Sequence, residues 1–251
     1  MANKVRTLFE IEATLGEVNF YRKDGELRVR RVGRVSGQRI RTEKAFQRTR
    51  ENNAEFKMAA HAGKQIRQSI AQLVKKGKDS KVSSRMLSIL FKIKALDTTS
   101  LRGERNVRKG LSLPEGRALL DGFEFNVRSQ MGDILEYGIV PDTANDSIDK
   151  SQFAPIVLLQ DEANDATHVT MSYMTAAFDL ETGLNTKGEV ASVNLPMDAE
   201  GDINPLVSSL TDYNGFKVHV VLIEFFQEVN GQQYPLYNGK YNMCKILEVV
   251  E

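Results

Sequence analysis

The sequence predicts an α+β protein with two parts of opposite charge. Residues 1–118 are expected to form a basic domain with a β-hairpin or meander and an antiparallel helix pair. Residues 119–251 are expected to form an acidic, antiparallel, immunoglobulin-like β-sandwich. The first observation behind this prediction is a helical spacing of apolar residues between 43 and 97, and the second is a series of strand-like runs after residue 153. The third is charge: residues 1–118 hold 28 Lys and Arg against 12 Asp and Glu, whereas residues 119–251 hold 6 against 21.

The chain begins with strand patterns. The run TLFEIEA alternates apolar and polar residues, and EVNFYRKDGELRVRRV contains Asp24-Gly25 at its centre. This pair favours a type I′ hairpin turn, in which both central residues take positive φ. In the second strand Leu27 and Val29 alternate with arginine, so one face of the hairpin is predicted to be apolar and the other basic.

Two helices follow the hairpin. Thr42 is a suitable N-cap for a helix that runs to Gly77, and SKVSSRMLSILFKIKALD begins the second. Both carry apolar residues at a helical period, which indicates that they pack against each other as an antiparallel pair. A short helix is expected in PEGRALLDG.

Strands dominate the second part. Those predicted are FEFNVRS, APIVLLQ, THVTMSYMTAAFDLETG, EVASVNLP, FKVHVVLIEFFQEVNG and QYPLYNGKYNMCKILEVV. Asn230-Gly231 is a further type I′ hairpin signal. Several strands at this spacing, separated by turn residues, are typical of an antiparallel sandwich.

The sequence contains no enzyme signature. His61, His168 and His219 have no cysteine, histidine or carboxylate at metal-ligand spacing, so neither a metal site nor a cofactor is predicted. The Gly-Lys pair in HAGKQ lacks the rest of a phosphate-binding loop. Cys244 is the single cysteine and is expected to be a small buried residue in a reducing cytoplasm.

No membrane or export signal is expected either. No run of 18 apolar residues is present, and the N-terminus lacks the pattern of a signal peptide. The protein is therefore predicted to be made in the cytoplasm, with the further option that it is released as an assembled structure.

The charge asymmetry allows three arrangements. The halves can neutralise each other within one chain, the basic half can bind nucleic acid, or the basic half of one copy can contact the acidic half of the next. The third uses both halves and predicts a non-enzymatic structural protein that assembles head-to-tail into a filament, tube or lattice. Nucleic-acid binding is the alternative. The residues predicted to form the contact are Arg28, Arg30, Arg31, Arg34, Arg39, Arg41, Arg48 and Arg50 opposite Asp142, Asp146, Asp149, Asp198, Glu200 and Asp202.

Five motifs carry a resemblance to a known group of proteins. They are GEVNFYRKDGELRVR, FQRTRENNAEF, LRGERNV, GFEFN and LIEFFQEVNGQQYPLYNG. In these motifs the chain resembles an uncharacterised family of bacterial proteins. The resemblance implies a bacterial origin and a shared fold, and it supplies no functional site.

Overall fold

The structure, a computed structural model, describes residues 3–4, 12–32, 35–158, 165–200 and 204–251. It is 32% helix and 30% strand, and every strand pair in it is antiparallel, which confirms the α+β class. The chain divides into two compact units, Met1–Asn53 and Ala54–Glu251. The charge boundary at 118/119 does not coincide with this division.

The first unit contains a small sheet with the strand order β1-β4-β3-β2. At its centre, Asp24 and Gly25 have φ values of 56° and 77°, as a type I′ turn requires. The predicted strand TLFEIEA spans residues 7–13, of which 7–11 lie outside the described ranges. The four strands are β1 (Asn3–Lys4), β2 (Thr14–Leu15), β3 (Val18–Lys23) and β4 (Glu26–Arg31).

Helix α1 (Gly37–Thr42) follows the sheet, so the long helix begins later in the chain than predicted. Ser36 caps α1, because its hydroxyl accepts a hydrogen bond from the amide of Arg39. Thr42 is the last residue of α1, and its hydroxyl donates to the carbonyl of Gln38. The prediction that Thr42 caps the long helix was therefore wrong. That helix, α2 (Gln47–Ser69), begins five residues later.

The second unit contains two helices that pack side by side. Glu55, in the first half of α2, contacts Lys94 near the end of the second helix. Arg67, near the end of α2, contacts Met86 near the start of that helix. The helices are therefore antiparallel. The second helix of the pair is α4 (Val82–Ala95), and three short helices are α3 (Ala71–Val74), α5 (Val107–Leu111) and α6 (Pro114–Ala118).

A six-stranded sheet forms the centre of the second unit. Its two longest strands, β7 and β11, pair with each other. On its other edge β7 pairs with β8 and β9, and on its other edge β11 pairs with β12 and β13. A separate three-stranded sheet has the order β10-β6-β5. The strands are β5 (Val140–Asp142), β6 (Ser147–Asp149), β7 (His168–Phe178), β8 (Asn185–Lys187), β9 (Ala191–Pro196), β10 (Leu206–Val207), β11 (Phe216–Val229), β12 (Gln232–Pro235) and β13 (Met243–Val250).

Each face of the six-stranded sheet has its own hydrophobic core. On one face Val218, Val220 and Leu222 share a core with helix residues such as Ile66 and Leu90. On the other face a second core combines strand residues with the segment 131–158: Met171, Val221, Ile223 and Phe225 with Ile148 and Phe153. Because successive strand residues point to opposite faces, the long apolar run of β11 serves both cores.

Two predicted strands have a different structure. Residues 155–158 of APIVLLQ form a 3₁₀ helix that begins at Pro155, a residue whose fixed φ suits the first position of a helix. In FEFNVRS the only ladder contact with another described residue is the bridge between Glu124 and Lys245. The amide of Phe125 donates to the carbonyl of Cys244, so this segment covers the edge of β13 without forming a full strand.

Candidate functional site

Two of the predicted arginines share one face of the β3–β4 hairpin. Arg28 is opposite Tyr21 and Arg30 is opposite Asn19, which places all four side chains on the same face. The Arg30 guanidinium lies 5.2 Å from the centre of the Tyr21 ring, a cation–π contact, and Arg28 lies 3.5 Å from Glu26. This is the basic face of the hairpin.

Three other predicted arginines form ion pairs within the first unit. Arg31 pairs with Glu17, Arg39 with Glu43 and Arg48 with Glu51, at 2.5, 2.5 and 3.1 Å. Exposed pairs of this kind contribute little to stability.

Three further arginines complete the set. Arg50 donates to the carbonyls of Ile40 and Glu43, and Arg34 lies outside the described residues. Within the described ranges, Arg30 and Arg41 have no carboxylate partner, so these two are the cations available for an external anion.

The opposite face of the same sheet is apolar and uncovered in part. Its centre consists of Val18, Phe20, Leu27 and Val29, together with Leu15 on β2, which is 57% exposed, and the same register places Arg22 and Arg31 at its ends; below we call it the apolar face. None of the residues 12–32 and 35–53 is buried. Over these two ranges the first unit therefore has no interior of its own.

The predicted acidic residues lie in different surroundings. Asp142 and Asp149 are exposed and accept hydrogen bonds from the amides of Asn145 and Ser151. Asp198 and Glu200 are exposed and have no ion pair with the described part of the chain, and Asp202 is not described.

Asp146 differs from the other acidic residues because it is inside the molecule. It is 8% exposed, and its carboxylate accepts from Lys217 Nζ at 2.6 Å and from the amide of Leu210 at 3.1 Å. Its charge is already neutralised by Lys217 inside the molecule, so Asp146 is not part of the exposed acidic surface where the sequence placed it.

A buried polar pair, Tyr173 and His219, lies near this ion pair, and no sequence pattern pointed to it. The Tyr173 hydroxyl lies 2.8 Å from His219 Nδ1, while His219 Nε2 is buried with no partner among the described residues. Burial, and next the charge of Lys217, lower the pKa of His219 to about 4, against the opposing effect of Asp146 and Glu248. Burial also raises the pKa of Tyr173, so both groups are neutral at pH 7.

Among the described residues of the second unit, three ion pairs join the two oppositely charged halves of the sequence. Lys76 pairs with Glu224, Arg108 with Glu181 and Arg117 with Glu251, at 2.8, 3.0 and 2.9 Å. Part of the charge asymmetry is therefore neutralised inside one molecule. The basic residues of the first unit do not take part in these pairs.

Three further features bear on function: metal-binding clusters, membrane-spanning helices and the single cysteine. Among the described residues, no cluster of three or more His, Cys, Asp or Glu side chains is placed to hold a metal ion, and no helix combines the length and apolarity needed to span a bilayer. Burial raises the pKa of the Cys244 thiol, which disfavours the reactive thiolate.

Comparison with known proteins identifies no relative. No family model, no curated protein and no solved structure matches this chain. The resemblance to a bacterial family stays a prediction, and any function must be argued from the residues themselves.

Proposed function

We propose that this chain is a non-enzymatic structural subunit that assembles with copies of itself, head to tail, into a filament, tube or lattice. The basic and apolar faces of the first unit contact the acidic surface of residues 119–251 on the next copy. Contacts between two different surfaces generate open chains or rings, whereas a twofold contact would stop at a dimer.

The observation that supports this proposal best is that none of the residues 12–32 and 35–53 of the first unit is buried. A small sheet is stable in water only when it has three or more strands with a covered hydrophobic face. Here the apolar face is covered only in part, and the described residues of the unit have no core. A second surface that packs against Phe20 and Val29 would supply the missing burial.

Charge supports a second copy as that partner. Residues 1–53 hold 13 Lys and Arg against 7 Asp and Glu, while residues 119–251 are strongly acidic. Arg30 and Arg41 lack a carboxylate within the described ranges, and Asp198 and Glu200 lack a cation. Complementary potentials of this kind select the partner and the register of the contact.

Charge reversal tests the proposal directly. In sedimentation velocity and electron microscopy at low salt, we expect the unmodified protein to form polymers that dissociate as salt is added, because exposed ion pairs are screened. The variant Arg30→Glu/Arg41→Glu should remain monomeric. Adding Asp198→Arg/Glu200→Arg to the same chain should restore assembly by exchanging the two signs.

The matched control carries the same change in net charge away from the proposed contact. Lys78→Glu/Lys81→Glu alters two exposed lysines of the second unit and should assemble like the unmodified protein. A chain that is monomeric at every salt concentration would contradict the proposal. So would equal loss of assembly in the control and the Arg30/Arg41 variant.

Nucleic-acid binding is the second candidate, and the basic face of the hairpin favours it. Arg28 and Arg30 lie on one face of the β3–β4 hairpin, which β1 and β2 extend by two residues each, and the major groove accommodates a β-hairpin of this kind. Duplex affinity that falls steeply with salt, and that is lost in Arg28→Glu/Arg30→Glu, would support this function. Failure to bind duplex at low salt would eliminate it.

The immunoglobulin-like sandwich stays a prediction that neither proposal requires. The assembly proposal needs only the exposed acidic residues of the second part and the uncovered faces of the first.

A further inference from the structure

A groove of about 770 Å³ lies on the second unit, independent of the proposed assembly surfaces. One wall is formed by α2, the other by residues 103–109, and Leu180 and Glu181 close one end. Its apolar lining consists of Ala54, Met58, Ala62, Val107 and Leu180. Volumes in this range are typical of sites for small organic ligands.

The inner part of the groove contains a hydrogen-bond acceptor without a partner. Gln65 lines the groove and is only 5% exposed, and its Oε1 atom is buried with no hydrogen-bond partner among the described residues. A buried polar atom left unpaired is unfavourable, so native proteins nearly always satisfy it. A ligand that donates an N–H or O–H to this oxygen would do so.

The outer part of the groove is basic. Lys57, Arg108 and Lys109 line it together with His61, against the carboxylates of Glu104 and Glu181. Glu181 is already paired with Arg108 at 3.0 Å, and Lys109 donates to the hydroxyls of Thr99 and Ser100.

Lys57 has no hydrogen bond or ion pair within the described part of the chain. Its ammonium is therefore free to bind an anion at the mouth of the groove.

Buried charges hold the second wall in place before any ligand binds. Glu55, which is 2% exposed, accepts hydrogen bonds from Lys94, Arg105 and the amide of Gly103 at 2.5, 2.9 and 2.8 Å. The Asp97 carboxylate accepts hydrogen bonds from the amides of Ser100 and Asn106. These bonds fix the segment 97–106, and such preorganisation lowers the entropic cost of binding.

From this arrangement we propose that the groove binds a small amphipathic organic anion. Its apolar body lies against Met58, Val107 and Leu180, an N–H or O–H group donates to Gln65 Oε1, and its anionic group lies near Lys57. The acceptor at the inner end and the cation at the mouth set the orientation of the ligand.

Anilinonaphthalenesulfonate tests this proposal because it combines a sulfonate, an apolar body and a single N–H donor. We expect one molecule to bind per folded chain, measured by fluorescence titration and calorimetry. Lys57→Glu should weaken binding by about tenfold or more, the effect of losing one charge-assisted hydrogen bond. Lys64→Glu is the matched control, since Lys64 is exposed on the same helix but does not line the groove.

The N-methyl analogue of the probe tests the role of Gln65 separately. It lacks the N–H donor, so the unmodified protein should prefer the parent probe by about threefold to tenfold. In Gln65→Met, which has a similar size but no acceptor, that preference should disappear. The fold of each variant is checked by its thermal unfolding midpoint.

Three results would overturn the proposal. They are the absence of binding at millimolar probe, equal affinity in Lys57→Glu and Lys64→Glu, and an unchanged preference in Gln65→Met. None of them bears on self-assembly, so the two proposals stand or fall separately.

Discussion

His219 and Glu55 are both buried ionisable residues, yet at neutral pH Glu55 is expected to be charged and His219 neutral. Burial alone would raise the pKa of Glu55, but the hydrogen bonds from Arg105, Lys94 and Gly103 outweigh it and hold the pKa at about 2. For His219 burial is the largest effect, and it lowers the pKa to about 4. A charged Glu55 therefore depends on its partners, whereas His219 is buried in its neutral form.

His219 should make the protein less stable in mild acid. Its pKa is depressed in the folded state, so below pH 6.5 the unfolded chain binds a proton that the folded chain does not. Stability is unaffected above pH 6.5 and falls between pH 6.5 and 4, by at most about 3.5 kcal/mol at about 1.4 kcal/mol per pH unit. Urea unfolding at pH 7 and pH 4.5 measures the loss.

His219→Gln provides the comparison for this experiment. It removes the imidazole but keeps a neutral polar side chain, so the loss between pH 7 and pH 4.5 should be smaller than in the unmodified protein. The groups that face His219, namely Tyr173, Lys217, Asp146 and Glu248, are unchanged in the variant. Equal losses in both proteins would contradict the assignment.

At the level of elements, two glycines allow the short helices α5 and α6 to pack closely. A Cβ atom at Gly110 would lie 2.1 Å from the carbonyl oxygen of Ile93 on α4, and one at Gly116 would lie 1.8 Å from the carbonyl oxygen of Gly110. Both distances are far below van der Waals contact. The close approach of α4, α5 and α6 therefore depends on these two glycines.

Gly110→Ala should destabilise the second unit. The added methyl group must displace backbone, and overpacking of this kind costs about 1–3 kcal/mol or more. Gly37→Ala is the control, because Gly37 is helical too but has open space at its Cβ position. The unfolding free energy of the control should stay within about 1 kcal/mol of the unmodified protein. Equal effects of the two substitutions would contradict the packing argument.

At the scale of the whole molecule, burial is concentrated in one of the two units. Both hydrophobic cores lie between residues 59 and 249, and none of the residues 12–32 and 35–53 is buried. Because burial of apolar surface is the main favourable contribution to folding, the second unit should hold nearly all of the stability. The first unit should therefore contribute little to the free energy of unfolding of the isolated chain.

A chain of residues 47–251, which keeps α2 complete, should test this distribution. We expect it to unfold cooperatively, with a midpoint within a few degrees of the full-length protein, and to stay monomeric at low salt. Differential scanning calorimetry and sedimentation measure the two properties. Loss of cooperative unfolding would show that residues 1–46 contribute to the core. Assembly of the shortened chain would show that the first unit is not required for it.

Local patterns in the sequence were sufficient where neighbouring residues decide the structure. The positive φ at Asp24-Gly25 and Asn230-Gly231, and the long strands β7 and β11, were anticipated from such patterns. The same patterns wrongly predicted strands at Pro155 and at FEFN. The apolar residues there fill a core or cover the edge of a strand. A strand-like run predicts burial, but the element that provides it depends on distant neighbours.

By itself the sequence determined the α+β class, the hairpin turns and the opposite charges of its two halves, because these depend on residue type and local spacing. Only the tertiary structure decided which charges are already paired, since the partners of Asp146, Glu224 and Glu55 lie 39 to 148 residues away along the chain. It also decided that Oε1 of Gln65 is buried with no partner among the described residues, in a groove that Lys57 lines too, and that the apolar face of the hairpin is uncovered in part. Burial and pairing are properties of surfaces brought together by folding, and no local pattern specifies them.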